Sequence, residues 1–198
     1  MKLMIASKNK DKIAEIAELL SELEVELISA ADFDEIPDVI EDKDTIEGNA
    51  IKKATEIAAH TGLLTMADDT GLFVKSLCGA PGVYSARYAG ELASYKDNRD
   101  KMLVAMKSEE QREAYFQTVV ALATPEKLVG ICYGKVLGSI TTKEIGAHGF
   151  GYDSIFLAEE TGKTFAEMGS DEKHAISHRG RALEKFKPLL KTYLDNMK

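Results

Sequence analysis

Four short segments of the chain concentrate residues that can bind anions, bind cations or transfer protons. The first segment, residues 7–12, reads SKNKDK and lies where an apolar strand ends and a helix begins. The first backbone amides of a helix have no partner inside the helix and lie at the positive end of its dipole, so they suit a phosphate. Three lysines in six residues favour the same prediction. An ordinary solvated turn is the alternative, and the glycines of a Walker loop are absent.

The second segment is acidic. Asp68 and Asp69 follow the apolar run at residues 63–67, which predicts a buried strand that ends at the two carboxylates. Neighbouring strand residues face opposite sides, so only one carboxylate can point into a given cleft, and the other can brace the loop or hold a lysine. Carboxylate oxygens are the usual Mg²⁺ ligands, and Glu41 with Asp42 offers a second acidic group. The alternative is a plain Asp-rich turn.

The third segment, residues 149–153, reads GFGYD. Glycines on both sides of an aromatic residue permit close approach of the backbone to a flat ligand. The Phe150 ring could stack on a base, as aromatic side chains do with nucleobases. A tight turn with a core aromatic would have the same composition.

The fourth segment, residues 173–179, reads KHAISHR and concentrates hydrogen-bond donors in an acidic chain. Ser177 could cap the following helix, which would place His178 and Arg179 in its first turn. Positive charge there opposes the helix dipole. This local conflict favours a functional role over a basic helix start at the surface.

The elements that must position these segments alternate in an α/β manner. Strands are predicted at residues 2–7, 25–29 and 63–67, with a hairpin of strands 115–123 and 128–136 around Pro125. Helices are predicted at residues 10–20, from a capping box of Asp44 and Glu47 to about residue 60, from Ser94, and over 171–196 with an interruption near Ser177 and a bend near Pro188. We expect one mixed, strongly twisted sheet with helices on both sides.

Composition narrows the function classes. The chain has 198 residues and a formal net charge of −8. An acidic protein is a poor general binder of nucleic acid. No apolar run approaches the ~20 residues that span a bilayer, and the N-terminal apolar run is too short for a signal peptide. Two distant cysteines, Cys78 and Cys132, suit a reducing cytosol, with a disulfide as the weaker alternative.

In order and spacing, these segments resemble the inosine triphosphate pyrophosphatase family, nearly end to end. The matching motifs are SKN at 7–9 with Lys12 and Glu15, EGNA at 47–50 with KA at 53–54, ADDTG at 67–71, GAPGVYSARY at 79–88, FGYD at 150–153 and SHR at 177–179. The resemblance implies an elongated α/β fold in one domain over residues 1–198, with two lobes and the active-site cleft between them. It also implies a cytoplasmic homodimer that cleaves non-canonical purine nucleoside triphosphates such as ITP, dITP and XTP between the α- and β-phosphates.

The resemblance also assigns roles to individual residues. It implies that Asp69 is the catalytic base and, with Glu41, a ligand of Mg²⁺, for which Mn²⁺ could substitute; Asp68 is the alternative to Glu41. The residues implied to bind the substrate are Ser7, Lys8, Asn9, Lys10, Asp11, Lys12, Thr70, Phe150, Gly151, Tyr152, Asp153, Lys173, His178 and Arg179.

Three positions depart from the family pattern. Thr70 replaces the commoner serine and keeps its hydroxyl. His148 replaces a usual glycine, which predicts a stiffer loop. The stretch of residues 41–44 lacks a frequent glycine, which weakens the assignment of Glu41.

Two other functions fit parts of the pattern. A regulatory module that binds nucleotides without turnover would not need Asp69 beside Asp68. A magnesium pyrophosphatase for canonical pyrimidine nucleotides would not need the Phe150 loop or the residues around His178. Pyrophosphate release from a panel of nucleotides separates all three.

Overall fold

The computed structural model describes residues 1–33 and 35–197. The contacts divide the chain into two compact units. The first unit contains Met1–Asp69, Thr118–Gly134 and the C-terminal segment from Arg181. The second unit contains Thr70–Gln117 and Lys135–Gly180.

The secondary structure is mixed α/β, as predicted. The helices are α1 (Lys10–Leu19), α2 (Ile46–Thr61), α3 (Tyr95–Ala105), α4 (Ser170–Ile176) and α5 (His178–Asp195). The strands are β1 (Lys2–Ile5), β2 (Glu26–Ser29), β3 (Thr65–Val74), β4 (Pro81–Gly82), β5 (Glu113–Ala123), β6 (Leu128–Ile140) and β7 (Phe156–Ala158). Hydrogen bonds join them in the order β2-β1-β3-β5-β6-β7, with β4 beside β3.

Both strand directions occur in the sheet. Strand β1 runs parallel to β2 and β3, whereas β4 runs antiparallel to β3 and β7 runs antiparallel to β6. The predicted hairpin is present as β5 and β6. Its turn is closed by Thr124, whose amide donates to the carbonyl of Lys127 at 2.9 Å. The prediction of a mixed sheet is therefore confirmed.

The start of α2 differs from the prediction. Thr45, and not Asp44, is the N-cap residue, and its hydroxyl accepts a hydrogen bond from the Gly48 amide at 3.0 Å. Glu47 does not close a capping box, because its carboxylate accepts from the Tyr133 hydroxyl at 2.6 Å. At the other end, Gly62 closes the helix in the left-handed conformation.

Strand β3 does not end at the acidic pair. It continues through Asp68 and Asp69 to Val74, because the later residues have partners of their own. Leu72 and Val74 are fully buried, and the Leu72 amide donates to the Ser85 hydroxyl at 2.8 Å. Aspartate is rare inside strands, so the sequence predicted an end where the strand instead has buried carboxylates.

The predicted interruption near Ser177 is present between α4 and α5. The Ser177 hydroxyl accepts from the Gly180 amide at 3.0 Å, so it caps α5 as expected. A Cβ at Gly180 would lie 1.8 Å from the carbonyl oxygen of His174, so only glycine fits this position.

Each unit has its own hydrophobic core. Buried apolar side chains of the first unit gather around Ile16, Met66 and Phe186. Those of the second unit gather around Phe116, Phe156 and Phe165. Within the described ranges, every helix is too short or too polar to cross a lipid bilayer.

The first core predicts a stability difference along α5. Phe186 is fully buried, so Phe186→Ala should lower the free energy of unfolding by about 3–5 kcal/mol. Glu184, two residues earlier, has a side chain that is 65% exposed and pairs with Lys187, so Glu184→Ala should change stability by less than about 0.5 kcal/mol. Urea unfolding of both variants gives the comparison, and similar losses in the two would contradict this account of the core.

Candidate active site

Buried and half-buried carboxylates and lysines form one group in the first unit, which we call the carboxylate–lysine cluster. Its members are Lys12, Glu41, Lys53, Asp68 and Asp69. The Lys53 ammonium lies 2.5 Å from Glu41 Oε1 and 3.3 Å from Asp69 Oδ1. The Lys12 ammonium lies 3.3 Å from Asp68 Oδ2. The two neighbouring aspartates of β3 therefore pair with different lysines, as the alternation of side chains along a strand requires.

Helix α2 positions the segment that carries Glu41. The side-chain oxygen of Asn49 accepts from the Lys43 amide at 3.0 Å. A Cβ at Gly48 would lie 2.8 Å from the Lys43 Cβ, so glycine permits the close approach of this segment to the helix. One turn after Asn49, Lys53 reaches Glu41. Sequence reasoning did not place Asn49 or Lys53 in the site, although their spacing of four on a predicted helix put both on one face.

The cluster shifts the pKa values of its own members. Burial raises the pKa of Asp69, and this effect outweighs the opposing charges of Lys53 and Lys12. Burial alone would lower the pKa of Lys53, but the carboxylates of Asp69, Glu41 and Asp68 outweigh it and raise that pKa. Lys53 is therefore a charged ammonium, and Asp69 is a stronger base than an exposed aspartate.

The oxygen donors of the cluster fit a hard divalent cation. Asp69 Oδ2 is buried and has no hydrogen-bond partner among residues 1–33 and 35–197. In the same residues, no three His, Cys, Asp or Glu side chains gather as a metal-binding group. The carboxylates of the cluster suit Mg²⁺, because this ion commonly takes one or two carboxylates together with phosphate oxygens and water.

The segment of residues 7–12 begins helix α1 as predicted, with Asn9 as the cap. The Asn9 side-chain oxygen accepts from the amides of Asp11 and Lys12 at 3.0 and 3.2 Å. The Asn9 amide in turn donates to the Ser7 hydroxyl at 3.2 Å. Two of the backbone amides that the sequence analysis predicted to bind a phosphate, those of Asp11 and Lys12, therefore donate to Asn9 instead.

The charged side chains of this segment differ in exposure. The Lys12 side chain is only 18% exposed. Lys8 is exposed and pairs with Asp38 at 2.9 Å, and Lys10 and Asp11 are exposed. The structure therefore brings Lys12, but not Lys8, into direct contact with the acidic residues of β3.

A second group lies in the second unit, and we call it the aromatic–cation cluster. Its members are Thr70, Phe150, Asp153, Lys173, His178 and Arg179. The Lys173 ammonium pairs with Asp153 Oδ2 at 2.7 Å and lies 5.0 Å from the centre of the Phe150 ring. The same Asp153 oxygen accepts from the Phe150 amide at 2.9 Å. A Cβ at Gly149 would lie 2.1 Å from that oxygen, so the loop needs glycine there.

Arg179 and His178 complete the aromatic–cation cluster at the start of α5. An Arg179 guanidinium nitrogen lies 3.3 Å from the Thr70 hydroxyl oxygen, and the guanidinium carbon lies 5.8 Å from the Phe150 ring centre. His178 Nδ1 accepts from the Arg179 amide at 2.7 Å, which places the proton of a neutral ring on Nε2. The His178 ring packs edge-on against Phe116.

Two residues of the predicted binding loop, Gly151 and Tyr152, make hydrogen bonds to other parts of the protein. The Tyr152 hydroxyl donates to the Ser85 carbonyl at 2.8 Å, and burial raises the pKa of this phenol. The Gly151 carbonyl accepts from an Arg99 guanidinium nitrogen at 3.0 Å. The Tyr152 side chain therefore belongs to the core of the second unit.

The lysine-paired carboxylates offer a base together with cations for an anionic group, and the Phe150 ring beside two cations offers a stacking face, which are the groups that an enzyme acting on phosphorylated small molecules uses. The sequence pattern of the Ham1 family matches residues 3–189, so the chain belongs to the Ham1 family.

Named relatives and solved structures agree with this assignment. The chain is 46% identical to a dITP/XTP pyrophosphatase of Flavobacterium johnsoniae, over 96% of this chain and 98% of that protein. It is 45% identical to a dITP/XTP pyrophosphatase of Geobacter sulfurreducens, over 98% of this chain and 96% of that protein. A HAM1 protein structure from Coxiella burnetii has a TM-score of 0.88 at 40% identity, and the match covers 97% of this chain and 99% of that one.

The buried ion pair of the aromatic–cation cluster predicts a stability effect. Asp153→Ala would leave the Lys173 ammonium buried without this carboxylate, so we expect a loss of about 3–5 kcal/mol in the free energy of unfolding. The pair of Lys163 and Glu172 has the same 2.7 Å separation, but its side chains are 50% and 40% exposed. Glu172→Ala should therefore cost less than about 1 kcal/mol. Equal losses in thermal or urea unfolding would show that burial is not the deciding factor.

Proposed function

We propose that this chain is a nucleoside-triphosphate pyrophosphatase that hydrolyses the non-canonical purine nucleotides ITP, dITP and XTP to the monophosphate and pyrophosphate. The observation that carries the proposal is the pair of Glu41 and Asp69 joined by the Lys53 ammonium, with Lys12 nearby. This group supplies a base and cations together, as hydrolysis of a triphosphate requires. The names of the relatives support the substrate class.

Charge is the main obstacle to this reaction, because a triphosphate repels an incoming nucleophile. Lys12 and Lys53 offset that charge, and Asp69 orients a water molecule and takes its proton during attack on the α-phosphorus. The raised pKa of Asp69 suits this role, since a general base works best when its pKa is closer to the working pH.

Magnesium, or manganese in its place, is the proposed cofactor. When bound, the ion neutralises phosphate charge and polarises the bond that breaks. Asp69 and Glu41 are the residues proposed to hold it. Glu41 is preferred over Asp68, because the Lys53 ammonium joins Glu41 to Asp69 whereas Lys12 holds Asp68.

The aromatic–cation cluster is the proposed base-recognition site. Phe150 offers a ring face for stacking, and Arg179 with His178 offers donors to the six-keto group of hypoxanthine or xanthine. Adenine has an amino group at that position and would leave buried donors unpaired. Such a mismatch can discriminate by up to ~10⁴.

We further propose that the protein works as a cytoplasmic homodimer, without nucleic-acid or membrane partners. The family resemblance supports the dimer. Both cysteines are free thiols, which suits a reducing compartment. The net charge of −8 argues against nucleic acid as a partner.

The catalytic assignment predicts which inorganic product is released and how strongly turnover depends on the Asp69 carboxylate. Wild-type protein with ITP and Mg²⁺ should release pyrophosphate and no stoichiometric orthophosphate, and excess chelator should abolish turnover. Asp69→Asn should lower turnover by roughly 10²–10⁴ without unfolding the protein, because the base is lost while the shape is kept.

The control for this experiment is Asp100→Asn, which changes an exposed carboxylate paired with Lys96 and should leave turnover unchanged. Pyrophosphate and orthophosphate are measured separately in the same samples. Nucleotide binding without any release of either product would instead support a regulatory module, and orthophosphate release would contradict cleavage at the α-phosphorus.

The recognition assignment predicts a change in base choice. Arg179→Ala should lower kcat/KM for ITP far more than the residual kcat/KM for ATP, because adenine never made the lost interaction. Phe150→Ala should lower both together, since stacking tolerates any base. The two constants are measured for both variants after folding is checked by circular dichroism. An equal loss for ITP and ATP in Arg179→Ala would assign Arg179 to phosphate binding or to structure.

A further inference from the structure

The charge of Lys53 lies where the proposed function places a metal ion. One ammonium nitrogen contacts Glu41 Oε1 at 2.5 Å and Asp69 Oδ1 at 3.3 Å. These carboxylates are the two proposed metal ligands. A lysine that only positioned α2 would need one of them, whereas this nitrogen is shared between both.

Burial makes this arrangement electrostatically strong. The Lys53 side chain is 11% exposed, and those of Glu41 and Asp69 are 23% and 8% exposed. Charges this poorly solvated interact more strongly than exposed ones, so the ammonium stabilises two carboxylates that would otherwise repel each other. A divalent cation at the same oxygens would meet a positive charge at contact distance.

The Lys53 side chain is also able to move away from these carboxylates. Its four-carbon stem is flexible, and its ammonium is a point charge that can exchange one set of oxygens for another. A bound triphosphate would bring new anionic oxygens. Asp69 Oδ2, which has no hydrogen-bond partner among the described residues, offers a further oxygen to a cation once the ammonium has moved.

We propose that Lys53 is an internal counter-ion that keeps divalent cations away from Glu41 and Asp69 until a triphosphate draws the lysine to its phosphates. The inference rests on the proposed function for the identity of the triphosphate. It makes the resting protein a poor binder of the free metal and couples metal binding to substrate binding. Lys53 therefore controls when the cofactor can reach its ligands, and it becomes a partner of the phosphates once it has moved.

The test measures Mn²⁺ binding to the full chain without nucleotide. Binding is detected as the loss of the electron paramagnetic resonance signal of the free ion. Wild type should bind weakly at Glu41 and Asp69. Lys53→Met removes the charge and keeps the length, so it should bind Mn²⁺ at least about tenfold more tightly. Lys53→Arg keeps the charge and should bind as weakly as wild type.

A matched control separates the local effect from net charge. Lys163→Met removes one exposed lysine that pairs with Glu172, and it should leave Mn²⁺ binding within about twofold of wild type. If Lys53→Met binds no better than wild type or Lys163→Met, the proposal is overturned. Because no turnover is measured, this result is independent of the product assay for the proposed function.

A measurement on wild type covers the case in which Lys53→Met fails to fold. Acetylation of Lys53 by an amine-reactive ester is followed by mass spectrometry, with and without Mn²⁺ at concentrations that fill the site. Occupancy should expose the displaced amine and raise its labelling rate several-fold, while labelling of the exposed Lys163 stays constant. Unchanged labelling of Lys53 at demonstrated Mn²⁺ occupancy would contradict displacement.

Discussion

The rest of the site depends on the burial of two consecutive carboxylates in the middle of β3. Asp68 is 2% exposed and Asp69 is 6% exposed, and such burial is costly unless each charge has a partner. Lys12 from α1 and Lys53 from α2 supply these partners from two different helices. The first unit therefore brings together lysines that lie 41 residues apart in the sequence, and the proposed phosphate chemistry uses the same charges.

The second unit solves a similar problem with a different set of groups. Lys173 and Arg179 are buried cations, and Asp153 and the Phe150 ring lie against them. Glycines before and after Phe150 let the loop fold back onto Asp153. One carboxylate oxygen of Asp153 therefore accepts from both the Phe150 amide and the Lys173 ammonium. Rigid placement of these donors is what discrimination between two purines would require.

The sequence predicted the mixed α/β class, the helix at residue 10, the hairpin and the interruption at Ser177, because each depends on local signals such as caps, turns and periodicity. It failed where distant contacts decide. Strand β3 continues through its aspartates because lysines from other elements pair with them, and Glu47 closes no capping box on α2 because its carboxylate accepts from the distant Tyr133 hydroxyl. Lys53 was missed for the same reason, since nothing near it in sequence shows that Glu41 lies beside it.

The alternation along β3 has an evolutionary consequence. Because Asp68 and Asp69 face different lysines, losing or gaining one residue within Thr65–Val74 would exchange the two carboxylates and turn every later side chain of the strand to the opposite face. A substitution there can be compensated by a neighbour, but a change of length cannot. Among homologous chains, insertions and deletions should therefore accumulate in the surface turns and be excluded from this strand.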